Sequence, residues 1–360
     1  MLTSIPSTMP RSAKSGTIVS ELALIDKIRR QAAAAAPHSR SLRLGIGDDC
    51  AILGPSAGHE ICVTTDFSLE GVHFRRDWHP AESAGHRCLA RGLSDLAAMG
   101  AEPLAVFLSL AVPAGVPSAW IDGFFEGLLA LARRHRAPLA GGDIARSPAL
   151  PGQPGLIAAD IVAVGQLPRG EARLRSAARP GDLLYVTGAL GGSAAELLAL
   201  ARRQRGFGSG RQGVTEHPHL YPQPRITVGR RLRTLAHAMI DISDGLSTDL
   251  THICEESKVS AVLDEASLPI HSLALRSRKS GHAPLSLALH GGEDYELLFT
   301  AAPGTRIPRT IAGVPIHRIG ILRRPAPGRP RILLGTQQGA PTPVLPRGWE
   351  HFRQPGFSRE

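Results

Sequence analysis

Apolar and polar positions along this chain fall into runs that switch between a helical period and an extended one. In 17–36 (TIVSELALIDKIRRQAAAAA), Val19, Leu22, Leu24, Ile25 and Ile28 recur at helical spacing before an alanine run, which predicts an amphipathic helix. The segment 60–66 (EICVTTD) is β-branched and ends on polar residues, which predicts a strand. Residues 80–101 (PAESAGHRCLARGLSDLAAMGA) carry proline at the first turn and glycine near the end, the punctuation of a helix. Next come a buried strand over 104–112, an amphipathic helix over 117–135 and a strand over 157–165. Beyond the turn-rich loop 166–182 the pattern predicts a strand at 183–188, helices at 192–203 and 224–237, and a stretch 239–250 that opens another helix. A strand at 259–265 and the block 290–300 (HGGEDYELLFT) follow. The predicted architecture is α/β (α+β) in two units of similar size, 18–168 and 169–352, between a disordered tail 1–17 and a short tail 353–360.

Length and composition narrow the class. The chain has 360 residues, 42% hydrophobic and 20% charged, enough to bury a core in each of two domains. No apolar run approaches the ~20 residues of a membrane helix, and the N-terminus has no apolar stretch of the secretory kind. Cys50, Cys62, Cys88 and Cys254 are scattered without a CxxC pair, which argues against disulfides and zinc ribbons and for a reducing, cytoplasmic compartment. The net charge of +10 comes largely from the end of the chain, where residues 303–360 hold ten arginines and two acids. That stretch is rich in proline and glycine and poor in aromatics, so it offers no stacking platform for nucleic acid.

The acids carry the chemistry. They sit in glycine- or serine-flanked clusters: Asp48 and Asp49 in GIGDD, Asp66 in TTD, Asp95 in LSDLAAMGA, Asp143 in GGD, Asp241 and Asp244 in DISDG, and Glu293 and Asp294 in GGED. Taken singly, each reads as a turn or a helix cap, and Asp143 and Asp244 suit a cap. Asp95 does not, because it lies inside an apolar helix where a lone carboxylate needs a strong partner. Divalent cations would compensate all of them together. Mg²⁺ takes hard oxygen ligands alongside substrate phosphates, and Thr64, Thr65 and Ser243 add hydroxyls beside the acids. There is no GxxxxGK[ST] and no HExxH, and GIGDD lacks the third glycine of a dinucleotide fingerprint.

Taken in order, GIGDDCAIL, TTDFSLEGVHF, LSDLAAMGAEPLA, GGD, DISDGLSTDL and GGEDYELLF resemble the thiamine-monophosphate kinase family over about residues 20–352. The resemblance implies the two-domain fold shared with aminoimidazole ribonucleotide synthetase, with an N-terminal mixed sheet that pairs in a homodimer and a C-terminal α/β sandwich. It implies transfer of the γ-phosphoryl group of ATP to thiamine monophosphate with several Mg²⁺ ions. On this sequence the implied metal ligands are Asp49, Thr64, Thr65, Asp66, Asp95, Asp143, Asp241 and Asp244, with Asp95 and Asp241 central to turnover and no general base. The implied ATP contacts are Gly142, Asp143, Arg175 and Ser243. The implied substrate contacts are His73, Glu293 and Trp349. Two rivals remain at this level. One is another ATP-using enzyme of the same superfamily, of the selenophosphate synthetase or hydrogenase-maturation type, although the reactive N-terminal cysteine and the C-terminal cysteine of those enzymes are missing. The other is a non-catalytic thiamine- or nucleotide-binding regulator.

Overall fold

The computed structural model describes residues 21–35, 41–46, 51–149, 155–202, 217–336 and 339–349. Asp48 and Asp49, the Gly/Arg-rich residues 203–216 and both ends of the chain lie outside the described residues.

The first half begins with α1 (Glu21–Ala35) and a short ribbon, β1 (Leu42–Leu44) with β2 (Ile52–Leu53). Then follow β3 (His59–Leu69), α2 (Ala81–Ala98), β4 (Glu102–Val112), α3 (Ser118–His135), β5 (Leu139–Arg146) and β6 (Ala158–Pro168). The four long strands form one mixed sheet in the order β3-β6-β4-β5, with β4 and β5 parallel. β3 pairs with β6 in unbroken antiparallel register from His59 opposite Pro168 to Leu69 opposite Ala158. Two consequences follow for the TTD stretch. The strand does not stop at the polar residues, and Thr64 and Asp66 project to one face of the sheet while Thr65 and Phe67 project to the other.

The inner face of this sheet is covered by α2, which is buried along almost its whole length. α2 also packs against α3, and the two backbones touch. A Cβ on Gly127 would stand 1.8 Å from the Glu82 carbonyl oxygen, and one on Gly85 would stand 1.8 Å from the Phe124 carbonyl oxygen. Glycine is therefore required at both points, and the close crossing fixes α2 against the sheet.

The second half contains a 3-10 turn (Arg175–Ala177), β7 (Leu183–Thr187), α4 (Gly192–Ala201), α5 (Ile226–Leu232), β8 (Met239–Asp241), α6 (Leu246–Glu256) and β9 (Ser260–Asp264). It continues with α7 (Ser272–Ser277), α8 (Pro284–His290), β10 (Leu297–Ala301), β11 (Thr310–Ile311), β12 (Val314–Arg323), β13 (Ile332–Gly335) and β14 (Thr342–Pro343). Its sheet runs β14-β13-β9-β12-β7-β10-β8, with β11 on β12. β8, the edge strand, meets α2 of the first half, as does α5. Core residues of both halves, among them Leu93, Ile161, Val228, Met239 and Phe299, belong to one continuous apolar cluster.

Because the Glu82 carbonyl and the rest of that turn are backbone and cannot move aside, Gly127→Ala should destabilise the fold by about 1–3 kcal/mol. Gly304→Ala, where a new Cβ meets nothing within 4 Å, should leave urea unfolding unchanged. Equal midpoints for the two variants would refute the tight α2–α3 crossing.

Candidate active site

The site is built around one face of α2. Arg87, Arg91 and Asp95 lie four residues apart and so share one side of the helix, the side that looks across to β8 and the loops of the second half. The Asp95 carboxylate accepts a hydrogen bond from the Thr64 hydroxyl on β3. One residue earlier, Ser94 donates its hydroxyl to the buried Asp241 carboxylate at the end of β8, 2.7 Å away. Asp66 lies beside Asp95 within hydrogen-bonding reach. Three carboxylates from three elements, Asp66 on β3, Asp95 on α2 and Asp241 on β8, thus line one cleft of about 350 Å³.

Electrostatics record the crowding. Burial lifts Asp66 to about 6, held back by the Arg91 guanidinium and pushed further by Asp95. Burial lifts Asp241 to about 7, with Asp95 again adding to the rise and the Ser94 hydroxyl opposing it. The charge of Arg175, on the 3-10 turn, reaches Asp241 and opposes the rise as well. An array of oxygens that resists ionisation for want of positive charge suits a hard divalent cation. Asp66, Asp95, Asp241 and Asp244 line the cleft and could hold one, and Asp244 also groups with Asp249 and His252, whose ligand atoms lie within 4.8 Å of one another.

Two loops of the second half close the cleft. The ISDG turn after β8 carries Ser243 and Asp244, both in the lining. Asp244 does not cap α6, since the cap position is Gly245 with φ 110°. The Asp249 carboxylate instead accepts the backbone N–H groups of Asp244 and Gly245, at 3.1 Å each. The GGED loop before β10 rests on this turn through the N–H of Glu293 donated to the Ser243 carbonyl at 2.7 Å. Glu293 and Tyr295 hold positive φ of 64° and 50°, uncommon for such side chains, and the loop points successive residues in different directions. Glu293 enters the cleft and accepts Arg87 Nη2 at 2.6 Å. Asp294 turns away to accept the N–H groups of Gly191 and Ser193 at the start of α4, and burial pushes it up to about 7 against those bonds. Glu296 pairs with Arg225 and with the Thr187 hydroxyl in the core.

Arg87 is buried, and both of its terminal nitrogens are committed. Besides Glu293 it donates to the carbonyls of His73, at 3.1 Å, and His219. His219 packs with His79, Nε2 to Nε2 at 3.0 Å. Both are held neutral, His79 at about 4 and His219 well below its ordinary value, by burial first and by the Arg87 charge second. His73 follows the β3 strand end; its Nδ1 accepts the Leu69 N–H at 3.0 Å, and its ring lines the cleft.

The mouth is apolar. The C-terminal strap crosses the ISDG turn, where Gly348 N–H donates to the Thr248 hydroxyl and Trp349 N–H to the Asp244 carbonyl, at 3.1 and 3.2 Å. A Cβ on Gly348 would stand 2.0 Å from that same carbonyl oxygen. The strap places Trp349, 54% exposed, in the lining of the cleft together with the exposed Val72.

Of the residues singled out from sequence, the cleft brings together Asp66, His73, Asp95, Asp241, Ser243, Asp244, Glu293 and Trp349. It does not gather them all. Asp143 lies within β5 instead of before a helix, and its carboxylate accepts the N–H of Ile144 at 2.9 Å. It sits in a row with Ser109, Asp160 and Phe67 on the outer face of the sheet, the face Thr65 also shares. The neighbouring Gly142, where a Cβ would meet the Leu108 carbonyl at 1.9 Å, lines nothing in this cleft. Asp49 is outside the described residues. Sequence reasoning passed over Arg87, Arg91 and Tyr295, whose signal was the four-residue spacing of the two arginines from Asp95 and the place of Tyr295 two residues after Glu293.

The models for AIR synthase related protein match in order, the N-terminal domain over residues 47–167 and the C-terminal domain over 179–307. The chain is 39% identical to the thiamine-monophosphate kinase of Escherichia coli K12 over 318 residues, covering 87% of this chain and 93% of that protein. It superposes on the crystal structure of thiamine-monophosphate kinase from Stenotrophomonas maltophilia with a TM-score of 0.73 at 36% identity, covering 89% and 97% of the two chains. It also superposes on AaThiL complexed with AMPPCP and TMP, with a TM-score of 0.70 at 28% identity over 96% of this chain and 100% of that one. With an identity of this size running over nearly the whole length of both chains, and with the two AIR synthase related domains in order, this chain belongs to the thiamine-monophosphate kinase family.

Proposed function

We propose that this protein transfers the γ-phosphoryl group of ATP to thiamine monophosphate, giving thiamine diphosphate and ADP. The observation that carries the reading is the convergence of Asp66, Asp95 and Asp241 with His73, Glu293 and Trp349 in one cleft between the two halves. The ligands named for the related complex, AMPPCP and TMP, match the two substrates.

The chemistry brings two polyanions together, and two unit charges at ~4 Å interact by about 4 kcal/mol at an effective dielectric near 20. Asp66, Asp95, Asp241 and Asp244 would hold Mg²⁺, which when bound supplies neutralisation of phosphate charge and a template for alignment. In the transfer, an anionic oxygen of the acceptor phosphate attacks the γ-phosphorus in line as the bond to the departing ADP oxygen breaks. The acceptor is already ionised, so no general base is assigned. Thr64 orients Asp95 and Ser94 orients Asp241, which holds the carboxylates ready before substrate arrives. Arg175 and Ser243 fall on the ATP side, with Gly142, Asp143, Thr65 and Asp49 as nucleotide or metal contacts that would be met outside the described cleft. Trp349 and Val72 offer an apolar wall to the ring system of the acceptor, with His73 and Glu293 as its polar partners.

A homodimer accords with the outer face of the N-terminal sheet. β3 is an edge strand, and Ile61, Val63 and Phe67 expose 45%, 59% and 59% of their surface there, the kind of apolar edge that chains cover by association. A cytoplasmic, non-membrane setting accords with the free thiols of Cys62, Cys88 and Cys254. It accords also with the finding that no helix among the described residues is long and apolar enough to cross a membrane. No nucleic-acid partner is assigned.

Incubation with ATP, Mg²⁺ and thiamine monophosphate should yield thiamine diphosphate; binding without turnover would favour a regulator. Asp95→Asn and Asp241→Asn should each lower kcat on the order of 100-fold, with the loss easing as Mg²⁺ is raised. A variant equally inactive at every Mg²⁺ concentration that still binds the metal normally would remove the metal role. Trp349→Ala should raise KM for thiamine monophosphate by roughly 3- to 30-fold, the value of a lost cation–π contact, while KM for ATP stays put. A shift confined to ATP would reassign the ring.

A further inference from the structure

Buried arginines in this protein fall into two kinds. Arg225 is closed: its Nε and Nη2 take both oxygens of Glu296 at 2.7 and 2.5 Å. Arg87 spends both terminal nitrogens on Glu293 and on the His73 and His219 carbonyls. Arg91 is open. It lies on the cleft wall with 16% of its side chain exposed. Its Nη2 is 3.5 Å from Asp66, and its Nη1 is 3.6 Å from Glu293 and 3.4 Å from the Tyr295 hydroxyl. Its Nε is buried and makes no hydrogen bond, as is true of Arg87 Nε too, so the difference between the two lies in the terminal nitrogens. Charge-assisted bonds of this kind ordinarily close to ~2.7–2.9 Å. Arg91 is thus surrounded by negative charge that keeps it protonated, yet its donors are poorly used. A buried cation in that condition is costly unless a ligand completes its bonds.

Its position says which ligand. Arg91 turns Nη2 toward Asp66, which neighbours Asp95, and Nη1 toward Glu293 and Tyr295, in a cleft that Trp349 also lines. It therefore sits where the metal-holding end of the cleft gives way to the end that takes the organic substrate. A planar fork with free donors at that boundary fits a phosphate monoester. We infer that Arg91 is a substrate-contacting residue that receives the phosphate of the acceptor, and that its loose contacts to Asp66 and Glu293 are those of a counter-ion released when metal and phosphate enter. The inference rests on the kinase reading above and adds to it the residue that tells a phosphorylated acceptor from the free alcohol.

The test is direct binding by calorimetry in the absence of ATP, with thiamine monophosphate and thiamine as paired probes on the full chain. Wild type should prefer the phosphorylated compound. Arg91→Gln should weaken thiamine monophosphate roughly 10- to 100-fold and leave thiamine within about twofold, since only the phosphate meets the guanidinium. Arg91→Lys, which keeps the charge and loses the fork, should fall between. In turnover, KM for thiamine monophosphate should rise while KM for ATP does not. Equal weakening of both probes, no weakening of either, or a rise confined to the ATP KM would each refute the assignment. Thermal melts separate misfolding from lost recognition, and if Arg91→Gln does not fold, the Arg91→Lys pair of affinities decides alone. Wild type that binds no thiamine monophosphate at all would instead sink the kinase reading.

Discussion

Negative charge gathered away from water is the constraint from which the rest of this structure follows. Asp66, Asp95 and Asp241 face one another in a cleft where burial raises two of them far above an ordinary carboxyl. Such a set destabilises a fold unless each oxygen is held and some cation is at hand. Both conditions are met locally. Thr64 and Ser94 give hydroxyl hydrogens to Asp95 and Asp241, and Arg91 supplies a charge that reaches Asp66 and Glu293 without closing on either. The helix carrying Ser94, Arg91 and Asp95 must then be immobile, which explains why it is the most deeply buried helix of the first half and why its contact with α3 has no room for a methyl group.

The second half contributes through backbone shape more than through side-chain number. The ISDG turn, the GGED loop and the C-terminal strap are stacked by main-chain hydrogen bonds, with Ser243 and Asp244 carbonyls as acceptors for Glu293 and Trp349. Each contact passes a glycine, Gly292 against the Ser243 carbonyl and Gly348 against the Asp244 carbonyl. The positive φ of Glu293 and Tyr295 is the local cost of splaying one four-residue motif in several directions. Glu293 goes to the cleft, Asp294 to the start of α4 and Glu296 to a core ion pair. The motif is thus as much a structural joint between α4, β7 and the cleft as it is part of the site.

Much of this was legible in the chain, and the gaps have physical causes. α2, α3 and β4 declare themselves through strong periodicity. β5 did not, because 139–146 (LAGGDIAR) reads as a turn, and only parallel pairing with β4 makes it a strand. α7 and α8, at 6 and 7 residues, are too short to show a period, and β12 and β13 sit in an Arg/Pro-rich context. Among site residues, Asp95 stood out because an acid in an apolar helix needs a reason. The alternation within TTD, which sends Thr65 to the opposite face from Thr64 and Asp66, follows from strand geometry alone once the strand is known to continue to Leu69. The outer-face position of Asp143 does not, since it depends on which strand lies beside β5. Arg91 was missed because an arginine on a helix usually marks a solvated face; its burial is set by β8 and the GGED loop, both more than a hundred residues away in sequence.

The unequal treatment of the arginines shows how one fold separates stability from function. Removing a partner of Arg225 or Arg87 would strand a buried charge, so those pairs are tied by short bonds, Arg225–Glu296 within the second half and Arg87–Glu293 between the halves. Arg91 carries the same desolvation and receives less in return from the folded chain. A sequence selected for stability alone would shorten its contacts to Asp66 and Glu293, for only small movements separate 3.5 Å from a full bond. Closing them would neutralise the two carboxylates that the proposed reading assigns to metal and substrate. The slack around Arg91 therefore keeps both the acids and the guanidinium available, and it is lodged at the boundary between the two substrate ends, where a phosphate would use it.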